Sequence, residues 1–202
     1  MSISEAAPAA KKRRKRSPEE AREEALTAAR ELLIESGPTA VTLAAIGKRV
    51  GMTHANVIHH FGSAAGLQSA LMGSMVRDLT VALGDAVAHV RSDSAAPRAL
   101  IDIVFDAFDK GGAGRLAAWI ALSGDLGHLE PVRQAVTDLV EAIAEKFADE
   151  GPSGRRRIQS AVLLIALMAF GDSMIGGPLR GMLGAEDDAG RSITAQVLPS
   201  FF

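Results

Sequence analysis

The chain has 202 residues, a mass of 21.1 kDa and a formal net charge of −2 at pH 7, and 48% of its residues are hydrophobic. This hydrophobic content excludes an intrinsically disordered protein, and the absence of cysteine excludes disulfides, thiol chemistry and thiolate metal sites. The N-terminal residues lack the apolar core of a secretory signal, and the longest apolar run, residues 161–170, is about half of a membrane span. We therefore expect a cytoplasmic protein without a membrane segment, with this run in a buried helix.

Charge is distributed unevenly along the chain. Residues 1–62 carry a net charge of +3, and residues 63–202 carry −5. A block of like charges repels itself, stays unfolded and often binds a polyanion. We therefore predict that residues 1–17 form a disordered basic arm that contacts DNA, with a solvated tail, a nuclear localisation signal or a membrane-surface patch as alternatives. The basic block consists of Lys11, Lys12, Arg13, Arg14, Lys15 and Arg16.

The first predicted elements are three helices, and the scarcity of β-branched and aromatic alternation favours an all-α fold throughout. Ser17 and Glu20 form a capping box that begins a helix over residues 18–36, which Gly37 ends. Thr42 is a candidate cap for a second, short helix that ends in a turn at Gly51. A third helix follows, capped by Thr53, with Val57 and Phe61 on its inward face.

The remaining residues predict longer helices separated by glycine, proline and serine. We assign residues 18–63 to a helix-turn-helix DNA-binding domain and residues 64–202 to a helical ligand-binding and dimerisation domain. The predicted helices of this second domain are residues 64–90, 97–110, 115–126, 131–149, 155–175 and 186–198.

Two short helices joined by a glycine-containing turn are typical of a helix-turn-helix, whose second helix enters the major groove of DNA. Asn56 can make a bidentate contact with an adenine edge, and the histidines of the third helix can donate to guanine acceptors or phosphates. The hydroxyls of Thr42 and Thr53 lie at helix N-termini, where phosphate binds well. Lys48 and Arg49 are expected to add positive charge from the second helix.

The N-terminal sequence also resembles a known family. Residues 21–67 read AREEALTAARELLIESGPTAVTLAAIGKRVGMTHANVIHHFGSAAGL. Three ordered segments, AARELLIESG, AVTLAAIGKRVGMT and VIHHFGS, are similar to the DNA-binding domain of the TetR family of transcriptional regulators. The resemblance implies a helical C-terminal domain with a small-molecule pocket and a two-fold dimer interface. It also implies DNA-facing positions at Thr42, Lys48, Thr53, His54, Ala55, Asn56, His59 and His60.

Three positions depart from the family pattern. Ile58 stands where the family usually has a phosphate-binding tyrosine, Ala64 where it often has a lysine, and Ala44 where a basic or polar residue is frequent. Each departure removes a donor or a charge from the contacts with the DNA backbone. We hypothesise that the basic arm compensates by reaching phosphates or the minor groove.

The large side chains of the C-terminal half predict either a core or a ligand pocket. A carboxylate after the apolar run 161–170, Asp172, needs a protein donor or the polar end of a ligand as its partner. We therefore predict a small apolar or aromatic effector with one polar group. The residues predicted to bind it are Phe105, Phe108, Trp119, Leu122, Leu126, His128, Met168, Asp172 and Ile175.

The predicted helix 155–175 is apolar on nearly every face, so we expect it to lie between the pocket and a subunit interface. With the terminal helix, which carries Ile193, Val197 and Leu198, it would form a four-helix contact in a homodimer.

An enzyme is a weaker hypothesis. Gly171, Asp172 and Ser173 resemble part of an esterase motif, but the chain has no Gly-x-Ser-x-Gly elbow, phosphate loop, GxGxxG or His-Glu-x-x-His. We therefore predict no catalytic residues, metal or cofactor. The two other hypotheses are a DNA-binding regulator, which we prefer, and a ligand-binding dimer that has lost its operator.

Overall fold

The computed structural model describes residues 17–89, 95–124, 126–146 and 151–201. Residues 1–16 of the predicted basic arm lie outside these residues, as does the side chain of Leu126. The described residues confirm the all-α prediction. Their ten α-helices are α1 (Pro18–Ser36), α2 (Leu43–Val50), α3 (His54–Phe61), α4 (Ala64–His89), α5 (Ala96–Phe108), α6 (Ala113–Ser123), α7 (Glu130–Lys146), α8 (Gly151–Gly171), α9 (Gly177–Leu183) and α10 (Ala189–Val197).

The first three helices begin and end as their capping residues predict. The Ser17 hydroxyl accepts from the Glu20 N–H at 3.1 Å, and the Ser17 N–H donates to the Glu20 carboxylate at 2.8 Å. Both bonds satisfy donors that a helix leaves unpaired at its start. Gly37 ends α1 at φ +80°, in the region that glycine tolerates best.

The predicted helix 155–175 has the wrong boundaries. α8 begins at Gly151, and the helical path continues through a π-helical turn, Asp172–Gly176, into α9. Glycine and proline at 176–178 had indicated an end. Pro178 lies in the first turn of α9, where a missing N–H is tolerated, and the wider π turn joins the two helices.

The continuous helical segment Ser153–Leu183 is long and apolar enough to cross a membrane by length and composition. Its most apolar window of 18 residues has a mean hydropathy of 1.8, and 22% of that window is buried inside the protein. Ile158, Ala161 and Ile165 are buried. Leu163 and Leu167 are 59% and 60% exposed. The expectation of a buried helix is therefore correct for one face of α8 and wrong for the other.

Two clusters of buried side chains hold the helices together. The first joins α1, α2 and α3 to the beginning of α4 and to α6 through residues such as Leu33, Ile46, Val57, Leu71 and Leu116. Burial of apolar side chains of this size stabilises the fold by about 1.5–3 kcal/mol each. Packing is continuous across residue 63, the predicted domain boundary.

The second cluster joins the end of α4 to α5, α7, α8 and Leu198. Phe108, at the end of α5, packs against both clusters.

Ion pairs fasten α10 to α5. Arg191 Nη2 lies 2.6 Å from Asp106 Oδ1, and Arg98 Nη1 lies 2.9 Å from Asp188 Oδ2. The hydrogen bond from Arg191, assisted by Lys110, holds the pKa of Asp106 below its usual value. The bond from Arg98 does the same for the pKa of Asp188. These pairs fix α10 against α5, and Leu198, which directly follows α10, belongs to the second cluster.

Candidate DNA-binding surface and ligand cavity

The turn between α2 and α3 is tight because two glycines permit it. Gly51 adopts φ +68°, and a Cβ at Gly47 would lie 2.9 Å from the Met52 carbonyl oxygen. Val57 of α3 packs next to the same glycine and is fully buried. The close approach of the turn to α2 thus sets the angle at which α3 leaves it.

The outer face of α3 is exposed and polar. Thr53, His54, Ala55, Asn56 and His59 are exposed, and His60 is half-buried. The hydroxyls at the two helix starts act as caps. Thr42 Oγ1 accepts from the Ala45 N–H at 3.2 Å, and Thr53 Oγ1 accepts from the Asn56 N–H at 3.3 Å. Each hydroxyl keeps its own hydrogen for donation to an acceptor outside the helix.

The charge around α2 and α3 is positive, although less so than the sequence suggested. Arg49 binds Glu35 at 2.8 Å and Glu31 at 3.0 Å, which lowers the pKa of Glu35 through a hydrogen bond. Of the two cations expected to add positive charge from α2, Arg49 is therefore neutralised by α1. Lys48 is exposed and has no carboxylate partner among the described residues. No acidic residue occurs in the sequence between Glu35 and Asp78.

A residue that the sequence did not single out positions the end of α3. Arg22 of α1 donates to the His60 carbonyl at 2.6 Å, and its guanidinium lies 4.6 Å from the centre of the Phe61 ring. These contacts hold the C-terminal end of α3 against α1. Because the partners are 38 residues apart, no local pattern could have indicated the pair.

A cavity of about 450 Å³ lies among α4, α5, α7 and α8, with Leu198 also in its wall. Its volume is within the range of small-molecule sites, about 300–1,000 Å³. Most of the wall is aliphatic, as with Val76, Leu79 and Leu83 of α4. The polar residues of the wall, Thr137, Arg155 and Gln159, are exposed and therefore mark a mouth between α7 and α8.

Residues 25–71 match the family model for bacterial regulatory proteins of the tetR family. The match covers 47 of the 202 residues, so the N-terminal part of the chain is similar to that family. The matched segment contains α2, α3 and the turn between them, so the exposed face of α3 lies within it.

Solved structures show the same fold over most of the chain. The multidrug binding protein EbrR, solved with ethidium, superposes with a TM-score of 0.62 at 14% identity, covering 91% of this chain and 98% of that one. A protein of Shewanella sp. PV-4 assigned to the tetR family of transcription regulators gives a TM-score of 0.52 at 17% identity, covering 88% and 95%. No curated protein matches the sequence.

One of the nine residues predicted to bind a ligand, Phe108, lines the cavity. The wall does not include the other predicted residues whose side chains are described. Phe105 is buried in the second cluster, Met168 is half-buried, and Trp119, Leu122, His128 and Ile175 are exposed. Leucine and valine dominate the wall, and the sequence pattern of such residues is the same in a wall and in a core.

Asp172 has a protein partner. It lies in the π turn, half-buried, and pairs with Arg180 of α9. Gly176 and Gly190 lie so close to this carboxylate that a side chain at either position would displace it. The carboxylate therefore joins α9 to the π turn at a point outside the cavity wall. Among the described residues, no group of three or more His, Asp or Glu side chains could hold a metal ion.

Proposed function

We propose that the protein is a ligand-responsive transcriptional repressor that binds a pseudo-palindromic DNA operator as a homodimer and leaves it when a small molecule binds. It would act in the cytoplasm. The observation that carries this proposal is the exposed polar face of α3, which lies within the segment that matches the TetR-family model and in a stretch, residues 36–77, without acidic residues.

In this proposal, α3 lies in the major groove. Asn56 reads an adenine, and His54 and His59 contact base edges or phosphates. Thr42, Lys48 and Thr53 contact the backbone, which positions the domain without specifying a sequence. Ala55 and His60 complete the contact surface, and the arm carrying Lys11, Lys12, Arg13, Arg14, Lys15 and Arg16 adds phosphate contacts beside it.

The homodimer would be formed by the uncovered apolar faces of the C-terminal helices. Leu167 of α8, Met182 and Leu183 of α9 and Ile193 of α10 are exposed by half or more. Large apolar side chains exposed on three consecutive helices are typical of an interaction site in a soluble protein. Covering it with the same surface of a second copy would place two α3 helices on one duplex, as a palindromic operator requires.

The effector would bind in the cavity among α4, α5, α7 and α8, with Phe108 in its wall. The structure of EbrR with ethidium supports this part of the proposal, since that related fold holds a small molecule. Release follows if the effector binds better to the form with lower affinity for DNA.

The test is selection of binding sites from a random DNA duplex pool by the full-length protein at about 150 mM salt with nonspecific competitor, where charge alone does not enrich a sequence. We expect a pseudo-palindrome. Asn56→Ala should lose specificity at one base position in each half-site, by about 1–3 kcal/mol. Gln134→Ala, which removes an exposed amide from α7, is the matched control and should select the same sequence.

If the protein is a folded dimer and enriches no DNA sequence, the proposal of a DNA-binding regulator is refuted. That result would favour a ligand-binding dimer without an operator. One observation already points to that alternative, because Ile58, where the family pattern has a phosphate-binding tyrosine, is 41% exposed on α3 and can donate no hydrogen bond.

A further inference from the structure

The interior of the cavity is suited to an aliphatic chain. Apart from the three polar residues at the mouth, the described residues of its wall are leucine, isoleucine, valine and alanine with a single aromatic residue, Phe108. No aspartate or glutamate of the described residues is part of that wall. A cation inside would therefore lose its hydration without gaining an ion partner, which is costly.

The mouth has the opposite character. Arg155 is the one charged residue among the described lining residues, and it lies near the exposed polar side chains Thr137 and Gln159. Arg155 Nη2 is 3.2 Å from Glu141 Oε1, and the two side chains are 48% and 53% exposed. An exposed pair of this kind is weak, so Arg155 can exchange Glu141 for another carboxylate at little cost.

We propose that the cavity binds an aliphatic chain with an anionic head group, with the chain among α4, α5, α7 and α8 and the head at Arg155 in the mouth. This inference rests on the proposed effector site and specifies the chemical class of its ligand. Arg155 presents a planar donor pair that matches a carboxylate, and Thr137 and Gln159 offer further hydrogen bonds. The anionic head replaces Glu141 as the partner of Arg155.

The test compares three ligands with one chain and different heads: decanoate, decanol and decyltrimethylammonium, each below its micelle concentration. Binding to the full-length protein is measured by calorimetry without DNA. We expect decanoate to bind about tenfold more tightly than decyltrimethylammonium, since one charged hydrogen bond is worth about that factor. Ala166→Phe, which places a ring in the cavity wall, should weaken all three ligands.

Variants at the mouth separate the head-group contact from the apolar contact. Arg155→Gln should remove the preference for decanoate and leave the affinity for decanol unchanged. Glu141→Gln should raise the affinity for decanoate severalfold, because Arg155 loses its competing partner and a negative charge leaves the mouth. Arg156→Gln is the matched control: Arg156 is exposed, next in sequence, and not part of the wall. It should preserve the order of the three ligands.

The proposal is overturned if decyltrimethylammonium binds as tightly as decanoate, if Arg155→Gln keeps the preference, or if decanoate does not bind. Because calorimetry needs no DNA, this result is independent of the operator selection. A protein that binds decanoate through Arg155 but selects no DNA sequence would refute the repressor and support this ligand class.

Discussion

The turn of the helix-turn-helix gives the sharpest prediction, because two glycines in helices face opposite situations. At Gly47 in α2, a methyl group would lie 2.9 Å from the Met52 carbonyl oxygen, while at Gly84 in α4 it would meet nothing within 4 Å. Glycine to alanine in a helix interior gains about 0.5–1 kcal/mol where space allows. Forcing an extra carbon into packed structure costs about 1–3 kcal/mol.

We therefore expect Gly84→Ala to raise the free energy of unfolding by about 0.5–1 kcal/mol and Gly47→Ala to lower it by about 1 kcal/mol. Urea unfolding followed by far-ultraviolet circular dichroism, at one protein concentration, measures both. Since the crowded atom belongs to the turn that orients α3, Gly47→Ala should also weaken operator binding, whereas Gly84→Ala should not. A Gly47→Ala protein as stable as the wild type would show that the turn is not constrained as described.

Three further predictions concern the arm, the end of α3 and the C-terminal helix. Deleting residues 1–16 should weaken binding to all DNA sequences alike and flatten the salt dependence of the binding constant; an unchanged affinity and slope would rule out a DNA contact by the arm. Arg22→Gln should cost about 1–2 kcal/mol of stability by removing the bond to the His60 carbonyl, and an unchanged urea midpoint would contradict this. The hydrogen bond from Arg191 lowers the pKa of Asp106 in the folded protein. The ion pair between them therefore stabilises the fold fully above the unfolded-state pKa of about 3.9, and this stabilisation is lost as the pH falls through the folded-state pKa. Asp106→Asn should therefore lose less stability than the wild type between pH 5 and pH 3, as measured by thermal unfolding, and an equal loss would refute the assignment.

The N-terminal helices were predictable because their determinants are local. Ser17 with Glu20 begins α1, and Thr42 and Thr53 cap α2 and α3, each within three residues of the N–H that it binds. A helical period of 3.6 residues places Val57 and Phe61 on one face of α3, which is buried. The sequence therefore places Asn56 on a different face, and its side chain is exposed.

Contacts between distant residues account for what the sequence did not predict. No local pattern indicates that Arg49 pairs with Glu35, because that residue lies 14 positions away on another helix. The sequence predicts a pocket lined by large side chains and Asp172, whereas the wall of the cavity is built mainly from medium-sized aliphatic residues, such as Leu79 and Val104, that meet only after four helices have packed. Neither a charge nor a side-chain volume indicates by itself which other element it will face.

The position of Phe108 links the two halves of the molecule physically. Its side chain lines the cavity and packs against both the cluster around α1, α2 and α3 and the cluster around α5, α7 and α8. α4 also contributes to both clusters, with Leu71 in the first and Leu83 in the second.

Protein interiors are close-packed, so the residues beyond Phe108 must adjust when a ligand moves its ring. A ligand can bias the position of α3 only through contacts that differ between two arrangements of the chain. Phe108 is placed to make such a contact, because the same ring belongs to the cavity wall and to the packing that supports the DNA-binding helices.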